Sequence, residues 1–205
     1  MGDNMKLLLT GYEPFGGEAI NPSWEAVKTF ANKKINDIEI AVEEMPVEWN
    51  QIEDKFIQAY KKHDPDYIIC VGQAGGRNAV AIERIALNCS NGKDNEGVIK
   101  NEATIKEEGK EAYFSTLPIV KMNKAVKESK IPCYISNSAG LYLCNYIFYI
   151  ARHFVETNSL DIPAGFVHIP YIPEQVAIKD RPNKYSSMDL SLVINALEEM
   201  IKVLN

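Results

Sequence analysis

Apolar and polar positions alternate between two periods along the chain, and the alternation divides it into strands separated by helices. Residues 5–10 (MKLLLT) form a compact apolar run that stops at Gly11, the pattern of a buried strand. Asn21-Pro22 reads as a helix N-cap with proline at the first helical position, and Trp24, Val27 and Phe30 follow at helical spacing. Residues 38–47 alternate as a second strand, and residues 51–63 place Ile52, Phe56, Ile57 and Tyr60 on one helical face. After a turn at Asp64-Pro65-Asp66, residues 67–72 (YIICVG) are a buried strand and residues 80–88 (VAIERIALN) another. Residues 89–110 are polar, rich in Asn, Gly, Glu and Lys, and read as a long surface excursion. A helix is predicted over residues 117–130. A short buried strand at 132–135 then passes through the loop 136–140 into an apolar helix with Cys144 near its start. Residues 164–172 are a strand leading into a loop. Residues 189–204 close the chain as an amphipathic helix striped by Leu190, Val193, Ile194, Leu197, Ile201 and Leu204.

This order predicts one α/β domain over residues 1–205, a three-layer sandwich of the phosphorylase/hydrolase-like kind. Its sheet is twisted and mainly parallel, with mixed pairing allowed, and helices cover both faces. Such sheets bind ligands beyond the carboxyl ends of their strands. Four apolar runs end in the loops GYEPFGG, GQAGGR, SNSAG and HIPYIPEQ, and parallel strands would gather all four at one edge.

Composition narrows the function classes. With 205 residues and 46% hydrophobic content, the chain can bury one substantial core. A net charge of −6 without a basic run excludes a nucleic-acid surface, and no stretch is long and apolar enough to span a membrane. The N-terminal segment turns glycine-rich after a very short apolar run and does not read as a signal peptide, so a cytoplasmic location is expected. The four cysteines show no metal-type or redox spacing, and reduced thiols are expected, with Cys70 and Cys133 as core residues. The three histidines form no ligand pair, so neither a metal nor another cofactor is expected. GQAGG lacks the spacing of a dinucleotide loop, no G-K-[ST] follows it, and no G-x-S-x-G is present.

The remaining chemistry centres on Cys144. A thiol at a strand-to-helix passage meets the unpaired N–H groups and partial positive charge of the helix start, both of which favour a thiolate. The best candidate base is His168, late in an apolar strand; a buried structural histidine bonded to a carbonyl is the competing reading, and the pattern leaves both open. His153 lies nine residues after Cys144 on the same helix, ~13 Å along its axis at ~1.5 Å per residue, and cannot reach the first turn. Glu83 and Arg84 interrupt an apolar strand. Neighbouring strand residues face opposite ways, so one of them points inward, and an inward Glu83 needs a partner such as His168.

The segments LLTGYEPFGGEAINPSWEAV, PDYIICVGQAGGRNAVAIERIALN, SNSAGLYLCNYIFY and GFVHIPYIPEQ closely resemble the pyroglutamyl peptidase I family, the pyrrolidone-carboxylate peptidases, in order and spacing from Leu7 to Gln175. The resemblance implies a cytoplasmic cysteine peptidase that removes N-terminal 5-oxoproline from peptides, commonly as a homotetramer. It places the catalytic Glu, Cys and His on Glu83, Cys144 and His168. It also implies a lactam pocket formed by Tyr12 and Phe15, with Gln73 binding substrate or the oxyanion and Tyr142 and Leu143 lining the same space. Tyr12 stands where the family usually has Phe. After Asn88 the usual A-R-I-P-D-N-type segment is replaced by a shorter one, Cys89 to Gly97, which lacks the arginine and proline and carries Lys93 instead. Two alternatives differ in kind: a weakly active or inactive pyroglutamyl-binding homologue, and a phosphorolytic enzyme that uses GQAGG for phosphate. An unreactive Cys144 thiol would mark the first, and phosphate-dependent cleavage the second.

Overall fold

The structure, a computed structural model, describes residues 5–204. Its elements begin with β1 (Met5–Tyr12), α1 (Pro22–Val27), β2 (Lys34–Ile35), β3 (Ile38–Met45), α2 (Ile52–His63), β4 (Tyr67–Gln73) and β5 (Val80–Glu83). Four short strands follow, β6 (Ile85–Leu87), β7 (Ser90–Lys93), β8 (Ile99–Ala103) and β9 (Ala112–Phe114). The chain continues through α3 (Ile119–Glu128), β10 (Cys133–Ser136), α4 (Leu143–Thr157), β11 (Ala164–Ile169), α5 (Pro173–Ala177) and α6 (Leu190–Ile201).

Seven strands form one sheet in the order β10-β5-β11-β4-β1-β3-β2. Strands β11, β4, β1 and β3 are mutually parallel, while β5 is antiparallel to β11 and β2 to β3. Alternate side chains of the sheet enter two separate cores. Leu7, Leu9, Ile69, Val71, Val167 and Ile169 pack under α1, α3 and α6. Leu8, Ile68, Cys70 and Phe166 pack under α2 and α4. This is the α/β sandwich with a mixed, mainly parallel sheet that the pattern predicts. The N-cap at Asn21 is also formed, its Oδ1 accepting from the Ser23 amide at 3.0 Å with Pro22 at the first helical position.

Three local expectations need correction. The apolar run 80–88 is two strands, not one. It breaks at Arg84, whose amide donates to the Ser136 carbonyl at 2.8 Å and whose side chain bonds Asn137 at 2.8 Å. Glu83 therefore ends a strand of the main sheet, and β6 leaves to pair with β9. The polar stretch 89–110 is not wholly irregular: β7 and β8 pair as an antiparallel ribbon. Finally, β10 is parallel to β5, which is antiparallel to β11, so the strand before Cys144 runs against β1, β4 and β11. Three of the four loops leave a common carboxyl edge. The fourth, SNSAG, leaves the carboxyl end of β10, which points to the opposite edge of the sheet, and carries the chain back to the start of α4.

Candidate active site

Cys144 is the second residue of α4, and Tyr142 at the N-cap supplies no side-chain acceptor, so the first amides of the helix are not capped by it. The helix start is held from two sides. Asn145, fully buried, accepts from the Leu87 amide and donates to the Leu87 and Cys89 carbonyls, each at 2.9 Å. The Tyr12 hydroxyl donates to the Leu143 carbonyl at 2.8 Å. A phenylalanine here could not make this second bond.

The thiol rests on the sheet because position 72 has no side chain. A Cβ on Gly72 would lie 2.8 Å from Cys144 Sγ and 2.7 Å from the Phe166 ring. Gly75 makes similar room for the Tyr171 ring, 2.3 Å from where its Cβ would be. These glycines of GQAGG serve close packing, and neither needs a phosphate to explain it.

His168 and Glu83 share the face of the sheet that carries Cys144. In the antiparallel register Phe166 stands opposite Glu83, and His168 is two residues farther along the same face. His168 Nδ1 and Glu83 Oε1 are 2.8 Å apart, with Glu83 fully buried and His168 nearly so. The inward reading of Glu83 thus holds, and the carbonyl-bonded reading of His168 does not. Arg77, in the loop before β5, donates from Nη1 to the same Glu83 oxygen at 2.6 Å and from Nη2 to the Ser138 carbonyl at 3.2 Å.

Charge at this site departs from the expectation of a thiolate. Burial and the nearby Glu83 push the Cys144 thiol up to about 12, outweighing Arg77 and the helix amide that favour its ionised form. Burial lowers His168 below the usual imidazole range despite its bond to Glu83. Burial alone would raise Glu83, but His168, the Ser136 hydroxyl and Arg77 hold it below the usual carboxylate range. The resting site is a neutral thiol, a neutral imidazole and an ionised carboxylate.

A cavity of about 260 Å³ opens above this group. Cys144, His168, Tyr12, Phe15, Gln73, Tyr142 and Leu143 all line it, together with Val47 and Arg77. Glu83 stands behind His168 and outside the lining. The Phe15 and Tyr142 rings lie 6.1 Å apart, and Trp49 supports Tyr142 edge-on at 5.4 Å. Gln73 is oriented by Gln175. The Ile172 amide donates to Gln175 Oε1 at 3.2 Å, so the Gln175 nitrogen donates to Gln73 Oε1 at 2.8 Å. Gln73 then has its own NH2 available as a donor.

The shortened segment packs against Tyr142, behind the cavity wall. Gly92, at φ +127°, lies where any Cβ would come within 2.7 Å of the Tyr142 ring, and the Tyr142 hydroxyl donates to the Lys93 carbonyl at 2.8 Å. Lys93 borders a separate cleft beyond Tyr142 and is not among the residues lining the main cavity.

All eight residues singled out from the sequence meet here. Arg77 and Gln175 did not stand out in it. Gln175 is separated from Gln73 by 102 residues, and only the fold joins them. Arg77 had a usable signal: a charged residue shortly before an apolar strand that ends in a lone carboxylate. His153 is remote in role, contacting the Tyr113 hydroxyl at 3.0 Å and stacking on Tyr149. Among the described residues, no cluster of His, Cys, Asp or Glu could hold a metal ion.

A family model described as pyroglutamyl peptidase matches residues 5–205. The pyrrolidone-carboxylate peptidase of Brachyspira hyodysenteriae is 42% identical over 201 residues, covering 97% of this chain and 98% of that protein. That of Thermococcus onnurineus is 42% identical over 200 residues, covering 97% and 98%. Among solved structures, a mutant pyrrolidone carboxyl peptidase from Pyrococcus furiosus superposes with a TM-score of 0.93 at 41% identity, covering 98% of each chain. Pyroglutamyl peptidase I from Bacillus amyloliquefaciens gives 0.92 at 39% identity, covering 96% of this chain and 93% of that one.

Proposed function

The chain belongs to the pyroglutamyl peptidase family, and from that premise we propose that it removes N-terminal 5-oxoproline from peptides with Cys144 as nucleophile, His168 as acid and base, and Glu83 as the orienting carboxylate. The observation that carries this reading is the convergence of the Glu83–His168 pair and the Cys144 thiol at one apolar cavity.

The resting protonation states set the order of events. Glu83 accepts the Nδ1 proton of His168, which leaves Nε2 as the acceptor for the thiol proton. Because the thiol is neutral at rest, proton transfer to Nε2 accompanies attack of sulfur on the 5-oxoprolyl carbonyl carbon. The amides at the start of α4 and the Gln73 NH2 bind the developing oxyanion, and losing one such donor typically costs ~10²–10³ in rate. The imidazolium, stabilised by Glu83, returns its proton to the leaving amine as the C–N bond breaks. A thioester remains on Cys144. His168 then removes a proton from water, which attacks the thioester carbon, and the departing sulfur is reprotonated to the starting thiol.

Specificity follows from the lining. A 5-oxoproline residue carries no α-amine charge and presents an apolar ring with one amide. The Tyr12, Phe15 and Tyr142 rings suit the ring, while a free glutamyl residue would have to leave charges unpaired among them. Hydrolysis of a 5-oxoprolyl arylamide, with the glutamyl arylamide as control, tests this reading. Release of arylamine from the first and not the second is expected, and no release from either would overturn it.

We further take residues 1–205 as a single catalytic domain acting in the cytoplasm on pyroglutamyl peptides, as a homotetramer. The family resemblance supports these assignments. Among the described residues, no helix is long and apolar enough to cross a membrane. Light scattering of the purified protein checks the assembly.

A further inference from the structure

We propose that Arg77 is a positioning residue for this hydrolysis: by sharing Glu83 Oε1 with His168, its guanidinium keeps the carboxylate ionised and holds the imidazole in the tautomer whose Nε2 can take the Cys144 proton. The inference rests on the hydrolytic reading above and adds a part to it.

Glu83 has no exposed surface, and a carboxylate withdrawn from water takes up a proton unless a cation or several donors hold it ionised. His168 cannot be that cation, because it must be neutral to act as base. The 2.6 Å bond from Arg77 Nη1 supplies the charge. Without it, a protonated Glu83 would donate its O–H to Nδ1. The imidazole proton would then sit on Nε2, and the thiol would face a donor where it needs an acceptor.

Arg77 also joins two parts of the site. Its second nitrogen bonds the Ser138 carbonyl at 3.2 Å, in the loop that leads into α4. One planar fork therefore spans the orienting carboxylate and the segment that delivers Cys144, which a lysine ammonium cannot do with the same geometry. Besides Arg77, the groups facing the His168–Glu83 pair are Cys144 from α4 and the Ser136 hydroxyl from β10, while Cys70 from β4 and Tyr12 from β1 face the thiol. None of these is cationic. Among the described residues lining the cavity, Arg77 is the permanent positive charge.

The test uses the full-length protein and three variants, Arg77→Met, Arg77→Gln and Arg77→Lys. It follows kcat and KM against pH with a 5-oxoprolyl arylamide, and titrates the His168 ring by nitrogen NMR, which needs no turnover. Wild-type hydrolysis tests the underlying reading; the variants test Arg77 alone. Both the acid limb of kcat and the His168 titration should move to higher pH by about one unit or more in the Met and Gln variants, the usual effect of removing a neighbouring charge. Their kcat should fall with little change in KM. Arg77→Lys should keep the limb near the wild-type position at a reduced rate. A uniformly lowered pH profile, or an unmoved His168 titration in folded Met and Gln variants, would overturn the proposal. If those variants do not fold, the wild-type nitrogen shifts decide. A His168 proton on Nδ1 is expected, and a proton on Nε2 of the neutral ring would overturn it.

Discussion

At the scale of single residues, the site is defined by where charge is absent. The Cys144 thiol sits at a helix start, a position that favours a thiolate, yet burial and Glu83 push it up to about 12. The thiolate is then a minor species near neutrality. Alkylation of Cys144 by a small neutral reagent should accelerate steadily as pH rises from neutral toward that value, read by mass spectrometry of the Cys144 peptide. A resting thiolate–imidazolium pair would instead show a fast plateau extending to mildly acidic pH. His168, shifted down by its burial, stays neutral below the ordinary imidazole range, so hydrolysis should persist in mild acid and fail only when the ring protonates. The proposed triad, Glu83, Cys144 and His168, drew attention in the sequence because of where each stands in an apolar run, and the family resemblance joined the three. The direction of the Cys144 shift was not, because it depends on the atoms enclosing the sulfur rather than on its helical position. Arg77 and Gln175 escaped for a related reason: each acts on a site residue, and the partners meet only in the folded sheet.

At the scale of elements, the site depends on how closely α4 approaches the sheet. Gly72 permits that approach, and Gly72→Ala would drive a methyl group into the Cys144 sulfur and the Phe166 ring. Such overpacking costs about 1–3 kcal/mol. The variant should unfold at lower denaturant concentration and lose most of its kcat. Asn145 secures the same helix end to the chain on either side of Asn88. Asn145→Ala should cost about 1–3 kcal/mol, because buried backbone groups lose their partners. The hydrophobic period showed that strands and helices alternate, but it carries no strand direction. That is why β10 was expected to run with β1, β4 and β11 and does not. The break at Arg84 was hidden in the same way. VAIERIALN reads as one strand, and only the bonds to Ser136 and Asn137 bend it out of the sheet.

At the scale of the whole molecule, two cores on opposite faces of one sheet hold the cavity open between the α4 start and the strand ends. The edge of this sandwich carries an acid-sensitive clasp. Glu43 on β3 is mostly buried, and burial alone would raise its carboxyl. Bonds from Lys62 (2.6 Å), His63 (2.8 Å) and Lys55 (3.3 Å), all on α2, instead hold it at about 2 against an ordinary 4.5. A carboxyl with a lowered folded-state value stabilises the fold above its unfolded value, and the contribution disappears as pH falls from about 4.5 to about 2. It amounts to about 3 kcal/mol at most. Glu43→Gln should therefore lower the melting temperature at neutral pH and leave it nearly unchanged at the acid end of that window, as followed by calorimetry. The overall architecture was legible because apolar periodicity records which faces are buried. The ribbon formed by β7 and β8 was not, because its polar residues pack chiefly through backbone bonds and Asp94, which accepts from the Trp49 and Val98 amides.

The proposed hydrolysis of a 5-oxoprolyl substrate requires Cys144 as its nucleophile. The most direct measurement is the rate of 5-oxoprolyl arylamide hydrolysis by the wild type and by Cys144→Ala, both shown to be folded by circular dichroism. The wild type should turn the substrate over and the variant should show no enzymatic hydrolysis. Comparable hydrolysis by the variant would rule out Cys144 as the nucleophile.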